Sequence, residues 1–180
     1  MKPLKNTLLL LCSLLMLSAS CKKQSKNPID NLPPATQTGA NTFGCLVNGE
    51  VFLPKSRGIG PDGLSCEVRF KNGNYNFLLS GSDGTSTPTK MVNVYIDNIL
   101  LDTEKNWVLN NDSTRLGEYF VLGGSIYLNS YKTNSSSTGR LNITNWNPSK
   151  GIVSGNFSFD AVNSMGEKVE IREGRFDVKL

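Results

Sequence analysis

Catalysis in this chain would have to rest on carboxylates, lysine or tyrosine, because its 180 residues include no histidine. Histidine is the most common general base and a frequent metal ligand, so its absence removes the usual route to acid–base and metal chemistry. Asp62 and Asp83 each precede a glycine in a predicted turn. Asp160 and Glu170 are predicted to lie on a solvated strand face, not as the convergent carboxylate pair that glycoside hydrolysis needs. We therefore expect a protein that is not an enzyme and that uses no cofactor.

Covalent chemistry is indicated at one cysteine near the start of the chain. The segment Leu17-Ser18-Ala19-Ser20-Cys21 resembles a bacterial lipobox, in which a peptidase cuts before a cysteine whose sulfur carries a diacylglyceryl group. Cys21 is therefore the predicted lipid attachment site and the first mature residue. Ser18 occupies the position where that motif usually has leucine, so an ordinary signal peptide with Ala-x-Ser cleavage, giving a secreted product, is the alternative.

The residues around this cysteine fit an exported, tethered protein. Two lysines precede the apolar residues 8–17, and this run is half the roughly 20 residues of a membrane-spanning helix but typical of a signal peptide. Residues 22–40 contain three lysines, three prolines and little apolar surface, too little to fold alone. We predict a lipoprotein signal peptide over 1–20, a lipidated flexible tether over 21–40 and one domain over 41–180.

The net charge gives no indication of a polyanionic partner. The whole chain carries +4, and loss of Lys2 and Lys5 with the signal would leave 17 basic against 15 acidic residues. No run of lysine or arginine follows residue 26, so we expect no nucleic-acid partner.

Alternating apolar and polar residues, interrupted by turn residues every 6 to 12 positions, predict that residues 41–180 are all-β. We expect a single antiparallel β-sandwich or barrel of about ten or eleven strands. The clearest hairpin surrounds Asn72-Gly73, whose type I′ turn would fix the register of residues 64–80. Its predicted pairs are Phe70 with Tyr75, Val68 with Phe77, and Cys66 with Leu79.

Other elements are read from the same pattern. A three-residue loop, Ser164-Met165-Gly166, predicts pairing of Ala161 with Val169, and a change of apolar parity at Glu173-Gly174 predicts a bulge or tight turn. Asn48-Gly49 predicts a third hairpin. Further strands are predicted near 90–97, 118–122, 125–131, 139–144 and 152–161, whereas 98–117 is predicted to be a long loop or one short helix.

Two cysteines of the domain, Cys45 and Cys66, share the apolar parity of their strands, so both sulfurs are predicted to point inward. An oxidising compartment would allow a disulfide between them, worth roughly 3 kcal/mol on the chain-entropy model. Two inert buried thiols are the alternative. A metal site is not expected, because two cysteines without histidine make a poor ligand set.

Four aromatic residues fall in or beside loop-rich segments: Trp107, Tyr127, Tyr131 and Trp146. Flat aromatic faces on loops suit sugar rings or other ligands, and these four are the predicted ligand-binding residues. The alternative is that they close the ends of the hydrophobic core. Asp112-Ser113-Thr114 also resembles the O-glycosylation acceptor sequence of exported proteins in the Bacteroides group, which makes Ser113 a candidate modification site.

Taken together, the lipobox, the proline-rich tether leading into "LPPATQTGANTFGCLVNGEVFLP" and the terminal "GRFDVKL" resemble uncharacterised β-rich lipoproteins of the Bacteroides group. The resemblance implies a cell-envelope location in a Gram-negative host, as an outer-membrane lipoprotein, and supplies no catalytic residues. Surface export in that group usually follows an acidic stretch after the lipidated cysteine, where this chain has Lys22 and Lys23. The periplasmic or surface face therefore stays open.

These observations favour a non-catalytic cell-envelope lipoprotein, held to the membrane by its lipid, whose β-domain binds a glycan, a small ligand or an envelope protein. The alternative is a structural or assembly component that acts through protein–protein contacts, for example at an open strand edge.

Overall fold

The computed structural model describes residues 27–57, 63–101, 105–112, 114–123 and 126–180, except the side chain of Tyr127. Within them the all-β prediction is confirmed, with eleven antiparallel strands in one curled, sandwich-like sheet. The strands are β1 Thr42–Val47, β2 Glu50–Phe52, β3 Leu64–Lys71, β4 Asn74–Asp83, β5 Thr89–Ile99, β6 Asn106–Leu109, β7 Arg115–Gly123, β8 Ile126–Lys132, β9 Gly139–Asn147, β10 Ile152–Val162 and β11 Lys168–Lys179. One short 3-10 helix, Pro28–Asn31, precedes them. No helix in these ranges has the length and apolar character to cross a membrane.

The sheet branches at β10. Its main path runs β2-β1-β11-β10-β8-β7-β5-β4-β3, while β9 pairs with β10 and β6 pairs with β9. β10 pairs with β11 along one side, and on the other side with β9 over residues 152–159. It meets β8 at a single position, where Val162 lies opposite Lys132. β8 and β9 thus pair with different parts of β10 along the same side of that strand.

The sheet curls so that its two halves face each other across one hydrophobic core. Phe77 of β4 packs against Phe176 of β11 at a ring distance of 5.9 Å. Gly81 of β4 leaves room for the ring of Phe43 on β1, since a Cβ there would lie 2.7 Å from that ring. Side chains from both halves therefore interdigitate in a packed interior.

The three predicted hairpins are confirmed. Asn72 and Gly73 adopt φ of 53° and 87°, and the β3–β4 register has each of the three predicted pairs. Asn48 and Gly49 likewise connect β1 to β2. Ala161 lies opposite Val169 in the β10–β11 hairpin. Positive φ at both central positions matches the right-handed twist of the strands, which is why these dipeptides fix the register.

The parity change in the last strand is a β-bulge. The β10–β11 register shifts between Phe157 and Phe159, and Glu173 on the opposite strand has a φ of 54°. The residue with the left-handed backbone conformation is thus Glu173, whereas Gly174 allows close packing. A Cβ at Gly174 would come within 2.6 Å of the Phe157 ring.

Residues 98–117 differ from their prediction. In place of one long loop or a helix, they contain β6 and the start of β7. β6 has four residues, and its Trp107 and Leu109 are buried in the core while Asn106 and Val108 point outward. The sequence Asn106-Trp107-Val108-Leu109 does not alternate polar with apolar residues, because the outward Val108 is apolar, so no strand period is visible there.

The segment before residue 41 also differs from its prediction as a flexible tether over 21–40. Residues 27–40 lie against the domain: Leu32 is buried, and Pro33 packs over Gly44 so closely that a Cβ there would be 2.6 Å away. Residues 21–26 lie outside the described ranges. The folded unit therefore extends upstream of residue 41, because this polar stretch is held by contacts with strands far along the chain.

Candidate functional site

The outer face of β6, β9, β10 and β11 carries polar side chains that the strand registers place side by side. Asn106 lies opposite Asn142, Asn142 opposite Asn156, and Asn156 opposite Arg175. We call the three asparagines the amide row, which Arg175 continues on β11. Directly paired residues in neighbouring strands have Cβ atoms about 5 Å apart, so one ligand could contact the whole row.

Strand alternation explains why the row points outward. Leu141 and Ile143 flank Asn142 and are fully buried in the core. Gly155 and Phe157 flank Asn156 in the same way. Because successive side chains of a strand point to opposite faces, burying the apolar neighbours fixes each asparagine on the solvent side.

The amide row differs from most asparagines of the domain in being without partners. Within the described residues, the side chains of Asn106, Asn142 and Asn156 make no hydrogen bond to other protein groups. By contrast, Asn48 accepts from the Glu170 N–H at 2.8 Å, and Asn163 donates to the Glu167 carboxylate at 2.6 Å. The hydrogen-bonding capacity of the row is thus available to water or a ligand.

The row lies in a surface depression of about 540 Å³. The bulge at Glu173 forms one side of it, where the Arg175 guanidinium donates to the Glu173 carbonyl at 3.2 Å and lies 3.4 Å from its carboxylate. Ala35 of the N-terminal segment contributes another side. Arg140 and Ser158, directly opposite each other on β9 and β10, complete the polar lining.

The wall formed by the N-terminal segment is fastened by one buried carboxylate, Asp177. Its oxygens accept hydrogen bonds from the Thr36 hydroxyl at 2.6 Å, the Gly39 N–H at 2.8 Å and the Ser154 hydroxyl at 2.7 Å. The N–H groups of Thr38 and Ala40 also donate to it. Segment 36–40, Ser154 and Asp177 together are called the clasp.

The pKa of Asp177 reflects this arrangement. Burial disfavours the charged carboxylate, yet the hydrogen bonds from Thr36, Ser154 and the N–H groups of Thr38 and Gly39 together hold its pKa well below the usual range. Asp177 is therefore ionised at neutral pH, and the clasp is formed by charge-assisted hydrogen bonds.

The side chains of the depression are suited to hydrogen bonding with a polar molecule. Asparagine amides both donate and accept, which matches the donor and acceptor character of hydroxyl groups. Glu173 is the single carboxylate among the described lining residues, and it already faces Arg175. Side chains of this kind can bind and orient a polyhydroxylated molecule, and they offer no paired acid and base at this position.

The described side chains among the predicted aromatic residues pack against different partners. Trp107 is buried in the core with 3% exposure, so its ring offers little surface to a ligand. Tyr131 packs against Tyr119 at a ring distance of 5.8 Å. Trp146 is half-buried and packs edge-on against Tyr75 at 5.5 Å. The core-closing alternative therefore describes Trp107 best, because β6 directs it inward.

Three predicted sites lie outside the described residues or side chains: the lipidation site Cys21, the glycosylation candidate Ser113 and the side chain of Tyr127. Asp112, next to Ser113, accepts hydrogen bonds from the Thr114 N–H and hydroxyl at 3.1 and 2.7 Å.

Cys45 and Cys66 are both free thiols, so the possible disulfide is not formed. Their strands, β1 and β3, lie near opposite ends of the sheet path and do not pair with each other. Burial raises the pKa of both thiols, that of Cys66 to about 12 with a smaller contribution from Glu67. Both therefore stay protonated and are poor nucleophiles.

The amide row was not among the predicted site residues. Asn142 and Asn156 do occupy polar positions between non-polar neighbours, as in Leu141-Asn142-Ile143, and this alternation indicates outward side chains. Asn106 follows Lys105 and carries no such signal. Their alignment depends on the β6–β9 and β9–β10 registers, which the sequence left unassigned. Among the described residues, no group of three histidine, cysteine, aspartate or glutamate side chains is placed to hold a metal ion.

Comparison with known proteins finds no relative of this chain. No protein-family model matches the chain, and no curated protein and no solved structure is significantly similar to it. The site is therefore interpreted from its own geometry.

Proposed function

We propose that this chain is a non-catalytic lipoprotein of the cell envelope whose β-domain binds a polyhydroxylated ligand, most simply a glycan, at the amide row. The observation that carries the proposal is the row itself: three aligned asparagines without protein partners in a depression of about 540 Å³. Depressions with a few convergent polar groups are the usual binding sites of small ligands.

The ligand proposal is tested by applying the full chain, purified in mild detergent, to a glycan array. We expect binding to a limited set of glycans. Asn142→Ala should weaken the affinity for a bound glycan by roughly tenfold, because each lost ligand hydrogen bond costs about 1 kcal/mol. Asn142 is chosen because it lies at the centre of the row.

The matched control is Asn31→Ala, which removes an exposed asparagine outside the row. It should bind like the unmodified chain. A blank array, or equal binding by the Asn142 and Asn31 variants, would contradict the proposed site.

The proposed anchor is a diacylglyceryl group on Cys21. Intact-mass measurement of the native protein should give a chain that begins at residue 21 with the mass of the acyl groups added. Two or more acyl chains hold a protein stably at a bilayer, so Cys21→Ser should release it from the membrane fraction. An unmodified amino terminus would exclude the anchor.

A second candidate function, assembly with an envelope protein, is favoured by the free edge of β8. This strand pairs with β7 and meets β10 only at Lys132, so residues 126–131 have no paired strand on that side within the described part of the chain. Ile126 and Leu128 on this strand are 69% and 57% exposed. Open strand edges with exposed apolar side chains are templates for strand addition.

Cross-linking in cells separates the two functions. One stoichiometric protein partner, lost when Leu128→Lys places a charge beside the edge, would favour assembly. The absence of such a partner, or its persistence in the Leu128 variant, would count against this edge.

A further inference from the structure

A cationic side chain without a protein partner stands beside the amide row. Arg140 lies opposite Ser158 and lines both the 540 Å³ depression and a neighbouring one of about 300 Å³. Its side chain is exposed and, within the described residues, makes neither a hydrogen bond nor an ion pair.

Three other arginines of the domain are paired with carboxylates, and Arg57 donates to the Ser86 carbonyl at 3.2 Å. Arg69 lies 2.6 Å from Glu67, and Arg172 lies 2.6 Å from Asp160. Arg175, which continues the amide row, lies 3.4 Å from Glu173. The guanidinium of Arg140 is thus free in a way that these three are not.

The described acidic residues that line the two depressions with Arg140 are already engaged. Asp160 lines the neighbouring depression with Arg140, but its carboxylate meets Lys168 at 2.8 Å as well as Arg172. Glu173 on the far side of the row meets Arg175. The charges of these two carboxylates are therefore offset locally, and within the described residues the charge of Arg140 has no partner of opposite sign.

Arg140 is close enough to act on a ligand of the amide row. It precedes Asn142 by two residues on the same face of β9, which places their Cα atoms roughly 7 Å apart. The Cα atom of Arg175, two strands away on β11, is roughly 12 Å from the Cα atom of Arg140 when the usual residue and strand spacings are applied. A guanidinium donates two parallel hydrogen bonds to a planar or tetrahedral oxyanion, which an amide cannot do.

We infer that the ligand of the amide row carries an oxyanion, a carboxylate or a sulfate on a polyhydroxylated frame, and that Arg140 binds this group. The inference rests on the proposed function, since it names the class of ligand that the same site takes. Asn106, Asn142 and Asn156 contact the hydroxyl groups, and Arg140 provides the preference for the acidic form.

The test uses an array in which each neutral oligosaccharide is printed beside its uronate and its sulfated counterpart. The full chain should bind acidic members at least fivefold more tightly than their neutral counterparts, and added salt should reduce this preference. The uronate and sulfate arms identify which oxyanion is preferred. Arg140→Gln should remove the preference, so that acidic members and their neutral counterparts bind with equal affinity.

Arg69→Gln is the matched control, since it removes an arginine whose side chain is 74% exposed on β3. It should keep the acidic preference. Neutral members that bind as tightly as acidic ones, or an Arg140 variant that keeps the preference, would overturn the inference while leaving the proposed function intact. Failure of all members to bind would overturn both.

Discussion

Two neighbouring rows on the outer face of β10 and β11 are built from the same strands but differ in hydrogen bonding. In the clasp, Asp177 and Ser154 lie opposite each other, and the Asp177 carboxylate accepts six hydrogen bonds. Two residues away on each strand, Asn156 and Arg175 also lie opposite each other, and the Asn156 side chain makes no hydrogen bond to the described protein groups.

The two rows differ in hydrogen bonding because another segment of the chain covers only one of them. Segment 36–40 lies over the clasp, so Asp177 is 1% exposed and each of its lone pairs must be satisfied by protein. No described segment covers the amide row in this way, so water can satisfy its amides at no cost to folding. Hydrogen bonds to a buried charge are therefore expected to stabilise the fold, and the open amides are expected to matter for binding.

The largest predicted effect follows from removing the clasp carboxylate. Asp177→Ala leaves three backbone N–H groups and three hydroxyls without their acceptor, and we expect a loss of about 3 kcal/mol in the free energy of unfolding. Urea denaturation followed by circular dichroism measures it. Segment 36–40 should also become sensitive to protease. An unchanged unfolding midpoint would mean that the clasp does not hold the segment.

Measurements of the free energy of unfolding at several pH values test whether the charge of Asp177 stabilises the clasp. The pKa of Asp177 is lowered in the folded protein, so the unfolded state binds more protons and stability rises with pH in this range. The contribution is fully present above the unfolded aspartate pKa of about 3.9 and is lost as the pH falls towards the folded value. The stability difference between the unmodified chain and Asp177→Asn, about 2 kcal/mol at pH 7, should narrow below pH 4.

Using Asp177→Asn as the reference removes the contribution of other carboxylates. The pKa values of Asp83 and Asp160 are also lowered, against their partial burial, by hydrogen bonds that the substitution leaves intact. A stability difference that stays constant from pH 7 to pH 3 would contradict the charged clasp.

The sequence predicted elements whose cause is local. Asn72-Gly73 fixed the β3–β4 register because positive φ is required at both turn positions, and those two residue types adopt it readily. The bulge at Glu173 was visible as a change in apolar parity along one strand. These features depend on residues that are adjacent in the chain.

The sequence did not predict elements whose cause is distant. Segment 36–40 has a polar composition typical of a tether, and it is ordered by Asp177, which lies 137 residues beyond Ala40. Asn106 joins the amide row only because the short strand β6 pairs with β9. A composition rule cannot detect a cover or a register that is set by another part of the fold.

A smaller effect is expected from the second member of the clasp. Ser154 is fully buried and donates to the Asp177 carboxylate at 2.7 Å, so Ser154→Ala should cost about 1.5 kcal/mol while the other donors remain. Ser149→Ala removes a hydroxyl that bonds Asn147 at 2.8 Å on an exposed turn, and should stay within about 0.5 kcal/mol of the unmodified chain. Equal effects would show that burial does not set the strength of these bonds.

The smallest predicted change in stability is at the amide row, where Asn142→Ala and Asn156→Ala together should alter the free energy of unfolding by less than about 0.5 kcal/mol. Neither side chain has a protein hydrogen bond to lose, and Asn156 is exposed. The same double variant should abolish glycan binding on the array, because both central ligand contacts are removed. Loss of binding with unchanged stability separates a recognition surface from the structural clasp beside it. A large destabilisation would instead place the row among the groups that hold the sheet together.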